Sequence, residues 1–226
     1  MGEKIRAVLA GCGGISNAWL GSEAMKAGAE IVGLVDLNPE AARAKAEQHG
    51  WAQAAIGTEL GRMLDDTHPE VVFDCTVPSA HINVTLEALR HGCHVLGEKP
   101  LADTLEHARE MVAAAQQAGK LYVVMQNRRY DARIRRLRAF LDSGAIGKVT
   151  TVQSNFFLGA DFGPENFRTH MRHVLILDMA IHTFDAARFL MGATPLSVYC
   201  HEWNPSGSWY DYDASALAHF EMSDGV

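Results

Sequence analysis

A lysine at Lys99, and an aspartate and a histidine four positions apart at Asp178 and His182, are residue types suited to oxidising a hydroxyl group. Removing a hydride from a secondary alcohol requires that the hydroxyl proton leave as well. An imidazole that titrates near neutrality suits that proton step, and an ammonium hydrogen-bonded to the same oxygen stabilises its alkoxide character. Lys99 lies in the stretch HVLGEKPL, His94 to Leu101. That stretch reads as a short buried strand (Val95, Leu96, Gly97) breaking into Glu98, Lys99 and Pro100 ahead of a helix that begins near Asp103. In an open parallel sheet the carboxyl ends of the strands line the ligand crevice, so a lysine delivered there points at whatever the sheet binds. The bland alternative is a surface lysine neutralising Glu98. On a helix, positions i, i+4 and i+7 share a face, so Asp178, His182 and Asp185 project together while Ile181, Phe184 and Phe189 pack elsewhere. A lone helical histidine is usually structural; Asp178 beside it is able to orient a substrate or His182 itself.

The other chemical signal is at the start of the chain. Gly11-Cys12-Gly13-Gly14-Ile15-Ser16 fits G-x-G-x-x-G with Ser16 in place of the third glycine. Gly11 permits the tight turn, Gly13 lets backbone approach a pyrophosphate, and the following helix offers its amides to it. Ser16 is small enough to keep that helix close to the strand. The motif is weak alone and gains force from its position between a strand and a helix, with Asp36 ending the next strand about 20 residues on, where an acid accepts hydrogen bonds from the adenosine ribose. An aspartate there repels a 2'-phosphate, and neither Leu37 nor Asn38 supplies an arginine to bind one. The expected cofactor is therefore NAD rather than NADP.

The elements that must position these groups alternate. Apolar strands are expected over Lys4 to Ala10, Ile31 to Val35, Val71 to Thr76, Val95 to Gly97 and Leu121 to Met125. Between them helices are expected over Ile15 to Ala27, Pro39 to Gln48, Thr58 to Leu64, Ser79 to Arg90 and Asp103 to Ala118. Asn38, Pro39 and Gly50 are a helix N-cap, first residue and stop. Continuous rather than alternating apolar runs predict a parallel sheet covered on both faces, a doubly wound Rossmann α/β architecture. Composition agrees: 226 residues, 48% hydrophobic and 21% charged, suit a globular protein with a real core. The net charge of −7 and pI near 5.8 argue against non-specific nucleic-acid binding, which needs a basic surface. The run Arg128, Arg129, Arg133, Arg135, Arg136 and Arg138 is the local exception, read as a solvated helix face, the alternative being that Arg128 or Arg129 reaches an anionic ligand. Cys12, Cys75, Cys93 and Cys200 form no C-x-x-C pair, which suits free thiols in a cytoplasmic protein. No stretch reads as a signal peptide or spanning helix, so no membrane partner is expected.

Four stretches together, AGCGGIS, TVPSAHINVTLEALRHGCHVLGEKPLA, QNRRYDARIRRLRAFLDSGAIGKV and LDMAIHTFDAARFL, resemble the glucose-fructose oxidoreductase, inositol dehydrogenase and rhizopine-catabolism (Gfo/Idh/MocA) family. The resemblance runs from the first strand to about Gly192. It implies an NAD-binding Rossmann domain, residues 1–126, then an α/β domain, residues 127–226, with a mostly antiparallel open sheet serving substrate binding and homo-oligomerisation. It implies a sugar or polyol substrate, with Lys99 as the motif lysine and Asp178 and His182 as the aspartate and histidine beside the substrate. Thr76, Pro78, His81 and Glu98 fall where the family lines its cofactor groove, as does Asn127 at the domain crossing.

Where many relatives have Asp-x-Gly-x-His, this chain has Asp178-Met179-Ala180-Ile181-His182, which narrows the local backbone options. Val198 to Trp203 and Ala214 to Met222 read as antiparallel strands, with Ser223-Asp224-Gly225 a hairpin turn. The chain therefore reads as a fragment whose second sheet stops short. Three rival readings remain: a metal hydrolase using His170, His173, Asp178 and His182, an NAD-binding sensor without turnover, and a redox-neutral glycoside hydrolase that uses NAD transiently. The oxidoreductase pattern itself calls for no metal.

Overall fold

The computed structural model describes residues 3–225. The chain divides into two compact units, one ending at Met125 and the other beginning at Gln126. In the first unit, strands β1 (Ile5–Ala10), β2 (Ala29–Val35), β3 (Ala55–Gly57), β4 (Val71–Asp74), β5 (His94–Gly97) and β6 (Tyr122–Val124) form one sheet in the order β3-β2-β1-β4-β5-β6. Every pairing is parallel. The order reverses between β1 and β4, the switch point at which doubly wound sheets bind ligands. Successive β1 side chains enter opposite cores: Ala7 and Leu9 pack with Trp19, Leu34 and Phe73, while Val8 and Ala10 pack with Leu64, Val72 and Val95. Burial of both faces explains why these strands read as unbroken apolar runs.

The elements follow the expected order with three corrections. The single helix expected over Ile15 to Ala27 is two, α1 (Ser16–Leu20) and α2 (Glu23–Gly28). Gly21 ends the first, and the Ser22 hydroxyl accepts from the Met25 amide at 3.1 Å to start the second, a local bond that competes with helix continuation. The helix expected over Thr58 to Leu64 runs instead from Leu60 to Thr67 (α4). Strand β3 was not expected: at three residues it is too short to carry a periodicity. Helix α3 (Pro39–His49) has the expected Asn38 cap, accepting from the Glu40 amide at 3.1 Å, and Gly50 beyond its end in the left-handed conformation. Helix α5 (His81–Arg90) follows a 3-10 turn over Pro78–Ala80, and α6 (Leu105–Ala118) is capped by Thr104.

The second unit has a 3-10 turn (Asn127–Tyr130), helices α7 (Ala132–Asp142) and α8 (Ile181–Met191), and an antiparallel hairpin of β7 (Pro195–Trp203) and β8 (Ser215–Met222). Residues 143–173 contain neither helix nor strand. The arginine run is not simply a solvated face. Arg129 forms a two-pronged ion pair with Asp185 of α8. Arg138 donates to the carbonyls of Phe189 and Leu190 at 3.1 and 2.8 Å, satisfying orphan acceptors at the end of α8. Ser223–Gly225 is a 3-10 turn rather than a hairpin turn. The Ser223 amide donates to the Thr194 carbonyl at 2.8 Å and its hydroxyl accepts from the Thr194 amide at 3.0 Å, which curls the chain around the start of β7.

Candidate functional site

The first unit gathers one set of expected residues at the carboxyl ends of β1, β2, β4 and β5. Gly11 follows β1 with φ +86°, and a Cβ there would lie 2.6 Å from the Cys75 carbonyl group, so only glycine fits. A Cβ on Gly13 or Gly14 would meet nothing within 4 Å, so the loop faces open space on that side. Ser16 does the work expected of the missing glycine: it is fully buried, and its hydroxyl donates to the Gly13 carbonyl at 2.7 Å. Because α1 has only five residues, what the loop offers an anion is its own amides and those of the first turn rather than a long helix dipole. Ile15 is exposed at the head of α1. Cys12, inside the loop, is not a nucleophile: burial pushes its thiol up to about 12, with Asp36 adding to the rise.

Asp36 ends β2 beside this loop. Its Oδ2 accepts from the Cys12 amide at 2.7 Å and its Oδ1 from the Asn38 amide at 2.9 Å. A carboxylate has about four acceptor positions, so two amide bonds leave capacity for ribose hydroxyls. The loop and Asp36 thus fit a dinucleotide: a glycine cradle open to solvent on one side, and an acid fixed at its edge.

At the end of β5, Glu98 is buried and held on both oxygens. Oε1 accepts from the Trp19 indole N–H at 2.5 Å, and Oε2 from the Lys99 amide at 3.1 Å. Trp19 belongs to α1, so the turn that carries Lys99 is tied directly to the helix after the glycine loop. These bonds engage both Glu98 oxygens, and Lys99 is half-buried rather than exposed. His81 is 1% exposed, with Nδ1 3.0 Å from the Pro100 carbonyl and Nε2 3.2 Å from the Thr76 carbonyl. It therefore bridges the loops after β4 and β5 from beneath instead of presenting its ring at a surface. Thr76 donates its hydroxyl (2.5 Å) and amide (3.0 Å) to Asp74, which is buried at the end of β4. Pro78 opens the 3-10 turn.

The second unit holds Asp178 and His182, both buried, at 2% and 7% exposure. The expected uniform α-helix is corrected here: residues Leu175–Ala180 form a π-helix that passes into α8 at Ile181. The wider turn replaces the uniform helical spacing assumed for the i, i+4, i+7 face over its first positions. Asp178 and Asp185 take different arginines. Asp185 pairs with Arg129, whereas Asp178 accepts from Arg168 Nε at 2.7 Å and more loosely from its Nη2 at 3.4 Å. Asp178 also lines a cavity of about 220 Å³ walled by Phe156, Phe162, Leu175, Trp203 and Tyr210. Asn127 is exposed at the start of its 3-10 turn. His170 and His173 face Asp211 and Glu202 at 2.6 and 2.7 Å, and among the described residues no group of three or more His, Cys, Asp or Glu is placed to share a metal ion. Trp19 and Arg168 were missed from sequence. Trp19 stands three positions after Ser16 on the buried side of α1 and was legible as packing; Arg168 lies in irregular chain and gave no signal.

The family described as "Oxidoreductase family, NAD-binding Rossmann fold" (GFO_IDH_MocA) matches residues 5–126, and its C-terminal domain matches 134–226. This chain belongs to the Gfo/Idh/MocA oxidoreductase family. A 1,5-anhydro-D-fructose reductase of Ensifer adhaerens is 31% identical over 192 residues, covering 83% of this chain and 56% of the relative. A D-glucoside 3-dehydrogenase of Escherichia coli K12 is 32% identical over 183 residues, covering 79% of this chain and 52% of the relative. The crystal structure of an Agrobacterium radiobacter oxidoreductase with NAD+, L-tartaric acid and magnesium superposes with a TM-score of 0.85 at 23% identity, covering 99% of this chain and 65% of that one. The Gfo/Idh/MocA chain thus spans between half and two thirds of the length of these proteins. Its first unit is the family's NAD-binding Rossmann domain, and among the described residues no helix is long and apolar enough to cross a membrane.

Proposed function

We propose that this protein transfers a hydride between a secondary hydroxyl of a sugar or polyol and NAD. The observation that carries the reading is the Glu98-Lys99-Pro100 turn at the carboxyl edge of the sheet that bears the glycine loop, with Glu98 bonded to Trp19 of the helix leaving that loop. When bound, the nicotinamide supplies the hydride acceptor. Gly11, Gly13, Gly14, Ile15 and Ser16 would hold the pyrophosphate end and Asp36 the ribose, with Thr76, Pro78 and Asn127 assigned to cofactor binding as well. His81 and Glu98 position this edge, His81 by bridging the two loops. Lys99 donates a hydrogen bond to the reacting oxygen, and His182 takes its proton. Asp178 orients the substrate. The aromatic cavity beside Asp178 suits the apolar C–H faces of a ring sugar, with a carboxylate to accept from its hydroxyls.

The test is a screen of sugars, glycosides, polyols and sugar acids with the protein and NAD, following reduced nicotinamide by absorbance. Turnover with at least one of them is expected. NAD binding with no reduction by any of them would favour the sensor reading, and altered sugar products without net reduction the redox-neutral one. The reading also includes a cytosolic location, supported by four free thiols, and self-association through the hairpin, where Leu196, Val198, Tyr199 and Leu217 are exposed. Light scattering on the purified protein tests the latter, a monomer at micromolar concentration counting against it.

A further inference from the structure

We infer that Arg168 is a positioning residue for the substrate-side carboxylate Asp178, built into the otherwise irregular segment 143–173; this rests on the reading of Asp178 given above. Asp178 is 2% exposed, and a carboxylate buried that deeply needs a partner to remain ionised. Arg168 supplies it through Nε at 2.7 Å. The guanidinium is itself fixed. Its Cζ stands 4.5 Å from the ring centre of Phe167 and 5.1 Å from that of Phe162, so the two aromatic rings hold it by cation–π contact. The backbone that delivers it is tied down as well. The Arg168 amide donates to Asn166 Oδ1 at 3.1 Å, buried Thr169 donates its hydroxyl to the Gly163 carbonyl at 2.8 Å, and the Asp211 amide donates to the Thr169 carbonyl at 3.0 Å.

The pair is asymmetric, which is the informative part. The Nε bond to Oδ2 is short while the Nη2 bond to Oδ1 is 3.4 Å, so the guanidinium grips one carboxylate oxygen more tightly than the other. Such a grip fixes the carboxylate plane and the direction in which Oδ1 presents its lone pairs. Asp178 also lines the aromatic cavity, so its orientation sets how a hydroxyl there is received. Phe162 belongs both to the cavity wall and to the arginine clamp, which joins the shape of the cavity to the placement of the charge.

A double-mutant cycle on a substrate found by the screen tests this, using Arg168→Met, Asp178→Asn and the pair together. Misplacing a binding group by about 1 Å can cost on the order of 100-fold, so Arg168→Met is expected to lower kcat/KM by about 10- to 100-fold. The double variant should be no worse than Asp178→Asn alone, because the arginine acts through the aspartate, and NAD affinity should be unchanged. Arg168→Lys, which keeps the charge without the planar fork, should recover part of the loss and gives a folded comparison if the methionine variant is unstable. Additive losses in the cycle, or an Arg168→Lys variant indistinguishable from wild type, would overturn the inference. Full activity in Asp178→Asn removes the reading on which it rests, whereas loss in Asp178→Asn with none in Arg168→Met removes only the role of Arg168.

Discussion

Two buried carboxyl groups, Glu98 in the first unit and Asp178 in the second, are held by different kinds of donor. Glu98 is met by neutral N–H groups, the Trp19 indole and the Lys99 amide, both belonging to elements docked on a six-stranded sheet. Asp178 is met by a guanidinium from a segment with no regular structure, itself held by aromatic rings. Neutral donors fixed by backbone give a rigid and conformationally defined seat. An arginine clamp sets orientation through charge, and the irregular chain that carries it is tied by turn and side-chain hydrogen bonds rather than by a sheet. The difference teaches that the two units fix a buried carboxyl group in two ways: by neutral N–H groups seated on a sheet, and by a side-chain charge pair.

The sharpest way to break this division is to remove one group from each unit. Lys99→Ala and His182→Ala are each expected to lower turnover by about 100- to 10,000-fold, the usual worth of acid–base groups, with NAD affinity little changed. A fall of less than about threefold in either would take that residue out of the reaction. Next in size is cofactor choice. Asp36→Arg removes a charge-assisted acceptor worth about 1.5–3 kcal/mol and should weaken NAD by roughly 10- to 100-fold while improving NADP. Calorimetric titration of both dinucleotides checks it, and tighter NADP binding by the parent protein would contradict it. A smaller effect is expected from Trp19→Phe, which keeps the packing and deletes the N–H to Glu98. Stability should fall by about 1–3 kcal/mol, read as a lowered Tm. No loss of stability would mean that the neutral-donor seat contributes little.

The smallest effect concerns Asp74 beneath the same edge. Burial pushes its carboxyl above the usual carboxylate range, more than His81 and the Thr76 bonds pull it down. A group with a raised folded-state pKa contributes stability below its ordinary pKa and loses it as the pH rises through the folded value. Asp74→Asn escapes that loss, so its Tm advantage over the parent should grow as pH rises from 4 toward 8 and shrink on acidification. Thermal melts across that range decide the sign.

Much of the first unit was legible because its information is local or periodic. Buried strands read as apolar runs, Asn38 and Pro39 announced a helix, and the glycine loop with Asp36 marked the nucleotide edge. The failures there have physical causes. Ser22 competes for a helix amide, and β3 is too short to show a pattern. Trp19 and Glu98 are 79 residues apart, and nothing in either neighbourhood calls for the other. In the second unit Asp178 and His182 stood out as residue types, but their relation depends on a π turn that no simple periodicity reveals. Arg129 and Arg138 looked like surface charge because a run of arginines does not disclose which members find a partner across the fold. Arg168 was invisible because it lies in irregular chain, where no periodicity or motif marks it.

The π turn over Leu175–Ala180 has a consequence for how such a pocket changes over time. A helix accommodates one extra residue by widening a single turn, and each residue of an α-helix is worth about 100° of rotation. Losing one residue from this stretch would therefore close the widened turn to an ordinary one, redirecting the side chains within it, Asp178 among them, while the helix after it keeps its phase and every remaining side chain stays chemically the same. The direction of a carboxylate is then inherited through chain length, independently of residue identity, and insertions or deletions of one residue become a route to new substrates that a catalogue of point substitutions would overlook.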